Sequence, residues 1–150
     1  MTREQKYQNT STFTYYNANP KNRITGDCVI RALCTAMNEP YEKVYRELFE
    51  FSMQNKYMLN DKKCYEKWLE SKGWVKKAQP RKSDNTKYTG KEFCKELSQS
   101  IEFLGKSVIA KIGGHHIVCI KETDGLNGVH KVHDIWDSTS KCIGNYWVKR

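Results

Sequence analysis

No stretch of this 150-residue chain is apolar for long enough to cross a bilayer, and Met1-Thr2-Arg3-Glu4-Gln5-Lys6-Tyr7 at its start has no apolar core of the kind a secretory signal requires. A soluble, cytoplasmic protein without membrane attachment is expected. The six cysteines, at 28, 34, 64, 94, 119 and 142, include no Cys-x-x-Cys pair and no closely spaced Cys/His quartet, which argues against structural zinc. Dispersed in a chain long enough to build its own core, they read as reduced thiols, and neither a metal nor a cofactor is implied. Acidic residues are in deficit, 17 against 26 Lys and Arg, and the net charge of +9 suits acidic partners or polyanions. Yet there is no arginine-rich arm and no RNP or zinc-finger signature, so any contact with nucleic acid is expected to be non-specific. Internal repeats and dividing linkers are also missing, which leaves a single domain over 1–150.

What is present is enough apolar material for one core, 38% hydrophobic and 12% aromatic, under a strongly polar surface. Residues 1–21 are rich in Asn, Thr, Tyr and Lys and end in the turn signal Asn19-Pro20, so they read as an extended N-terminal arm. The stretch Thr25-Gly26-Asp27-Cys28-Val29-Ile30-Arg31-Ala32-Leu33-Cys34-Thr35-Ala36-Met37 then turns a tight bend into an apolar helix. Gly26 permits close approach, Asp27 is a candidate N-cap, and Ile30, Leu33, Ala36 and Met37 recur at helical spacing. Cys28 falls in the first turn of that first helix.

A second helix is expected from Asn38-Glu39-Pro40 to about Gln54, on the spacing of Tyr41, Val44, Tyr45, Leu48 and Phe51. A third carries Cys64, Trp68 and Leu69 and ends at Gly73. Trp74-Val75 opens a short strand, and 76–87 is a basic loop that reads as a solvated connection, with the border of a substrate groove as the alternative. A fourth helix begins near Gly90, with Thr89 as its N-cap and Phe93, Leu97 and Ile101 on one face. From Lys106 the pattern alternates: 107–112 and 115–120 joined by Gly113-Gly114, a glycine-rich turn at 124–128, a strand over 129–136 and a last one at 146–148. Helices first and an antiparallel sheet second make an α+β domain.

The chemistry in this pattern belongs to a thiol. The unpaired amides and dipole of a helix N-terminus stabilise a thiolate, which is the nucleophilic form of cysteine. A thiol hydrolase also needs an imidazole to hold the thiolate and protonate the leaving group, and a third group to orient the imidazole. His115 and His116 lead one strand, and Asp134 and Asp137 end the next; antiparallel pairing of those strands brings histidine and acid together. Only one of the two histidines can face Cys28, because adjacent residues alternate across a strand. Asp137 has a competing role in the turn through Ser138, Thr139 and Ser140. Asn22, shortly before Cys28, is a candidate oxyanion donor.

The order of Thr25-Gly26-Asp27-Cys28-Val29-Ile30-Arg31-Ala32, then His116-Ile117-Val118-Cys119-Ile120, then His133-Asp134-Ile135-Trp136-Asp137-Ser138 and Asn145-Tyr146-Trp147 resembles the papain-like cysteine peptidases, in particular their compact bacteriocin-processing, C39-like relatives. It is similar as well to small phage and prophage proteins with a Gly-Asp-Cys-Val-x-Arg-Ala motif. The resemblance spans about residues 22–148. It implies a papain-like fold with the nucleophile at the start of the first helix, Cys28 as that nucleophile, and His116, followed directly by its apolar run, as the base. It also implies Asp134 as the orienting acid, with Asp134-Ile135-Trp136 similar to the family's Asn-x-Trp, and Asn22 where the family places a glutamine. The expected activity is a cysteine peptidase acting on an amide or isopeptide bond of a protein or peptide. The alternative is a non-catalytic papain-like binding protein of phage origin that captures or inhibits a host factor, in which case a Cys28→Ala variant would keep its full effect.

Overall fold

The change of period near Lys106 divides the chain into a helical first part and a sheet-forming second part, and the computed structural model, which describes residues 1–123 and 127–150, is α+β. Among the described residues the elements in chain order are α1 (Arg3–Lys6), β1 (Phe13–Tyr15), α2 (Cys28–Met37), α3 (Tyr41–Asn55), α4 (Lys62–Ser71), β2 (Trp74–Lys77), α5 (Gly90–Gln99), β3 (Val108–Ile112), β4 (His116–Glu122), β5 (His130–Asp134) and β6 (Ile143–Lys149), with a 3-10 turn at Ile101–Phe103. Among the described residues no helix is long and apolar enough to cross a membrane. Of the glycine-rich turn expected at 124–128, residues 124–126 lie outside the described residues.

The strands form one sheet in the order β1-β5-β4-β3-β6-β2. The expectation of an antiparallel sheet needs correction: β1 runs parallel to β5, with Phe13, Thr14 and Tyr15 opposite Val132, His133 and Asp134, so the sheet is mixed. The expectation of an extended arm over 1–21 needs the same correction. The arm's polarity hides one core residue, Phe13, which is fully buried, and its Thr2 and Gln5 close a capping box around the short α1.

Two cores flank the sheet. On one face α2, α3 and α4 pack Ile30, Leu33, Leu48, Trp68 and Leu69 against Ile109, Ile117, Cys119 and Trp147. On the other, Phe93 and Leu97 of α5 pack with Phe13 against Val108, Ala110, Ile112, Val118, Ile120, Val132 and Ile143. This alternation along β3 and β4 is the period-2 pattern of strands buried on both faces. α2 ends where Asn38 takes the left-handed conformation (φ 54°) and its N–H closes on Cys34 and Thr35. α5 begins in a capping box between Thr89 and Glu92, and Gly90 sits so close to Thr139 that a Cβ there would stand 2.8 Å from its Cα.

β4 and β5 are antiparallel, with Cys119 opposite His133 and Ile120 opposite Val132. That register sets His116, at the start of β4, alongside the residues that follow Asp134 at the end of β5. The 76–87 loop leaves the sheet from β2, the edge strand separated from β4 by β3 and β6.

Candidate active site

Cys28 is the first residue of α2, half-buried, and its backbone N–H has no carbonyl one turn earlier in the helix to bond. Asp27 precedes it at the N-cap position, yet its side chain makes no capping hydrogen bond. The expected cap is replaced by something more specific: Asp27 Oδ1 accepts from Arg31 Nε at 2.8 Å, and Oδ2 accepts from Tyr41 Oη at 2.8 Å and Asn19 Nδ2 at 3.0 Å.

His116 starts β4 and meets both partners. Its Nε2 stands 2.5 Å from Asp134 Oδ2, and its ring lies near enough to the Cys28 thiol for each to shift the other's charge. With Nε2 committed to the carboxylate, Nδ1 is the nitrogen left for sulfur. The Trp136 ring lies 5.0 Å from that of His116, tilted by 40°, and covers it. The Ile117 backbone amide also faces the sulfur and favours its charged form.

Asp134 is 2% exposed and fully engaged. While Oδ2 takes His116, Oδ1 accepts from Arg31 Nη1 at 2.5 Å and from the Ile135 amide at 2.8 Å. Its backbone is fixed by the N-terminal strand, since Tyr16 N–H donates to Asp134 O at 2.9 Å. The segment read as an arm is thus a support of the site.

These contacts determine the charges. Burial alone would raise the Cys28 thiol, but His116, the Ile117 amide and the Arg31 charge outweigh it and bring the thiol below its ordinary value. Burial would likewise lower His116, but Asp134 and Cys28 raise it from 6.5 to about 9. Both shifts favour a thiolate beside an imidazolium. Elsewhere burial raises the Cys34 and Cys64 thiols and pushes those of Cys94 and Cys119 up to about 12. All six cysteines are free, and Cys142 is the exposed one.

The remaining candidates fall elsewhere. His115 is exposed in the turn between β3 and β4. Asp137 Oδ1 accepts from the Thr139 amide at 2.9 Å and its hydroxyl at 2.5 Å, which makes it a turn residue. Asn22 is exposed in a left-handed conformation (φ 54°), and its Oδ1 accepts from Asn17 Nδ2. Among the described residues its amide hydrogens have no partner, and no contact joins it to Cys28. Sequence reasoning passed over Arg31, Asn19 and Tyr41. The Asp27/Arg31 spacing of four on one helix face was the signal available for Arg31; nothing local pointed to Asn19 or Tyr41.

No family model, no curated protein and no solved structure matches this chain.

Proposed function

We propose that the chain is a papain-like thiol hydrolase, a cysteine peptidase that cleaves an amide or isopeptide bond with Cys28 as nucleophile, His116 as acid and base, and Asp134 as the orienting carboxylate. The observation that carries this reading is the position of His116 between the Cys28 thiol and the buried Asp134 carboxylate, 2.5 Å from the latter. Three side chains from α2, β4 and β5 meet there in the order nucleophile, base, orienter.

The chemistry follows from the charges. The Cys28 thiolate adds to the carbonyl carbon of the scissile bond, and the negative charge moves to the carbonyl oxygen. The N–H of Cys28, without an intrahelical partner, is the donor to that oxygen. As the tetrahedral adduct collapses, the His116 imidazolium gives its proton to the departing amine, leaving a thioester on Cys28 and a neutral imidazole. Water then attacks the thioester while His116 takes its proton; the carboxylic product leaves, and thiolate and imidazolium are restored. Asp134 keeps the ring in place throughout. Substrates with acidic side chains suit the +9 charge of the chain.

The test is cleavage of a proteome-derived peptide library, read by mass spectrometry as new termini. Cuts that appear with the wild-type protein and vanish with Cys28→Ala and His116→Ala, both still folded, support the proposal. Identical peptide pools with and without the wild-type protein at stoichiometric amounts contradict it.

A further inference from the structure

Two buried charges stand beside the three proposed catalytic groups and take no part in their chemistry: Asp27 is 7% exposed and Arg31 6%. A helix gains little from burying an ion pair, because desolvation offsets most of the attraction. The arrangement here reaches beyond the helix. Arg31 uses two different nitrogens on two different carboxylates, Nε on Asp27 Oδ1 at 2.8 Å and Nη1 on Asp134 Oδ1 at 2.5 Å. With the Ile135 amide also on Oδ1, one oxygen of Asp134 is occupied by two donors and the other is left to His116. Behind Arg31, Asp27 is itself held on its second oxygen by Tyr41 of α3 and Asn19 of the preceding loop. Every carboxylate oxygen in the line has a donor, and the charges alternate from Asp27 through Arg31 and Asp134 to His116.

We propose that Arg31 is a positioning residue for the Cys28 and His116 pair. Anchored from behind by Asp27, it clamps Oδ1 of Asp134 so that Oδ2 alone meets His116 and the ring presents its other nitrogen to sulfur. This rests on Cys28 being the nucleophile. A guanidinium fits the task because its N–H groups form a rigid planar fork, whereas a lysine ammonium is a point charge on a flexible stem. The charged and titratable groups facing the assembly are few. Cys28 is faced by His116 from β4, by Arg31 one turn along α2, and by Tyr65 from α4; Arg31 is faced by Asp27, Asp134 and Cys34.

The test uses the full chain carrying Cys142→Ser, so that the exposed thiol does not compete, in otherwise wild-type, Arg31→Lys, Arg31→Met and Asp27→Asn forms. The rate of Cys28 alkylation by iodoacetamide is followed against pH, and folding is checked by circular dichroism. Arg31→Lys keeps the charge and loses the fork; its neutral-pH rate is expected to fall about tenfold as the rise of the profile moves up by about one pH unit. Asp27→Asn, which leaves the Arg31 to Asp134 contact intact, is expected to move the profile in the same direction by less. A helix-stabilising role alone would lower the melting temperature and leave the profile of the folded protein in place. Folded Arg31→Lys or Arg31→Met with the reference profile overturns the proposal. If Arg31→Met does not fold, Arg31→Lys and Asp27→Asn decide. An activated reference Cys28 with an unchanged Arg31→Lys profile overturns this inference alone, whereas an ordinary reference thiol removes the nucleophile reading and this one with it.

Discussion

Nε2 of His116 and Oδ2 of Asp134 stand 2.5 Å apart, although the two residues are 18 positions apart in the chain and lie on neighbouring antiparallel strands. The contact fixes which ring nitrogen is free for Cys28, and it places a buried negative charge where an imidazolium is stabilised.

Asp134→Asn tests that contact. The amide keeps the shape but removes the charge that raises His116, and it leaves Arg31 paired with Asp27 alone. Breaking one partner out of a buried charge network is expected to cost on the order of 3 kcal/mol of unfolding free energy. The neutral-pH alkylation rate of Cys28 is expected to fall at least tenfold as the imidazolium is lost. Urea unfolding and an alkylation time course check the two outcomes separately.

The pH dependence of stability has a definite sign. His116 is raised from 6.5 to about 9 in the folded chain, so the stability it contributes is fully present below pH 6.5 and is lost as the pH rises through 9. Asp27 is held below its ordinary 3.8 by Arg31, Asn19 and Tyr41 against the opposing effect of burial. Its contribution is therefore present above that value and is lost as the pH falls through the lowered one. Urea midpoints from pH 5 to 10 are expected to show the wild-type advantage over His116→Gln shrinking across the alkaline range.

Much of this was legible from the residues. The helical spacing after Cys28, the Thr89 capping signal and the Gly113-Gly114 hairpin are local patterns, and local patterns determine local elements. The meeting of His116 with Asp134 followed from antiparallel pairing of two recognisable strands. Other features depend on partners distant in sequence. β1 is three residues long and two-thirds polar or half-exposed, so alternation cannot reveal it; Phe13 becomes a core residue only because β5 lies beside it. Asp27 has the composition of a cap, and only the arrival of Arg31, Asn19 and Tyr41 gives its carboxylate better partners than the helix amides.

Phe13→Ala measures what the N-terminal strand contributes. A fully buried phenylalanine truncated to alanine is expected to cost about 3–5 kcal/mol. Because Tyr15 and Tyr16 hold the backbone at Asp134, the neutral-pH reactivity of Cys28 should fall as well. A dispensable arm would leave both the unfolding midpoint and the alkylation rate unchanged.

Gly90→Ala probes the turn that follows the acid. A Cβ at position 90 would meet Thr139 Cα at 2.8 Å, Ile112 Cδ1 at 2.9 Å and Thr139 O at 3.1 Å, and two of those atoms are backbone. Overpacking of this kind is expected to destabilise by about 1–3 kcal/mol, seen as a lower urea midpoint, despite the helix-favouring change to alanine.

The central claim is that Cys28 is held as a thiolate by His116 and Asp134, and the most direct measurement of it is site-resolved alkylation. The wild-type protein is treated with limiting iodoacetamide at a series of pH values from 5 to 10, and each of the six cysteines is quantified by peptide mass spectrometry. Cys28 is expected to be modified first at neutral and mildly acidic pH, ahead of the exposed Cys142, and His116→Ala to abolish this lead. A Cys28 that trails Cys142 and gains reactivity only towards the ordinary thiol value of 9.0 would contradict it.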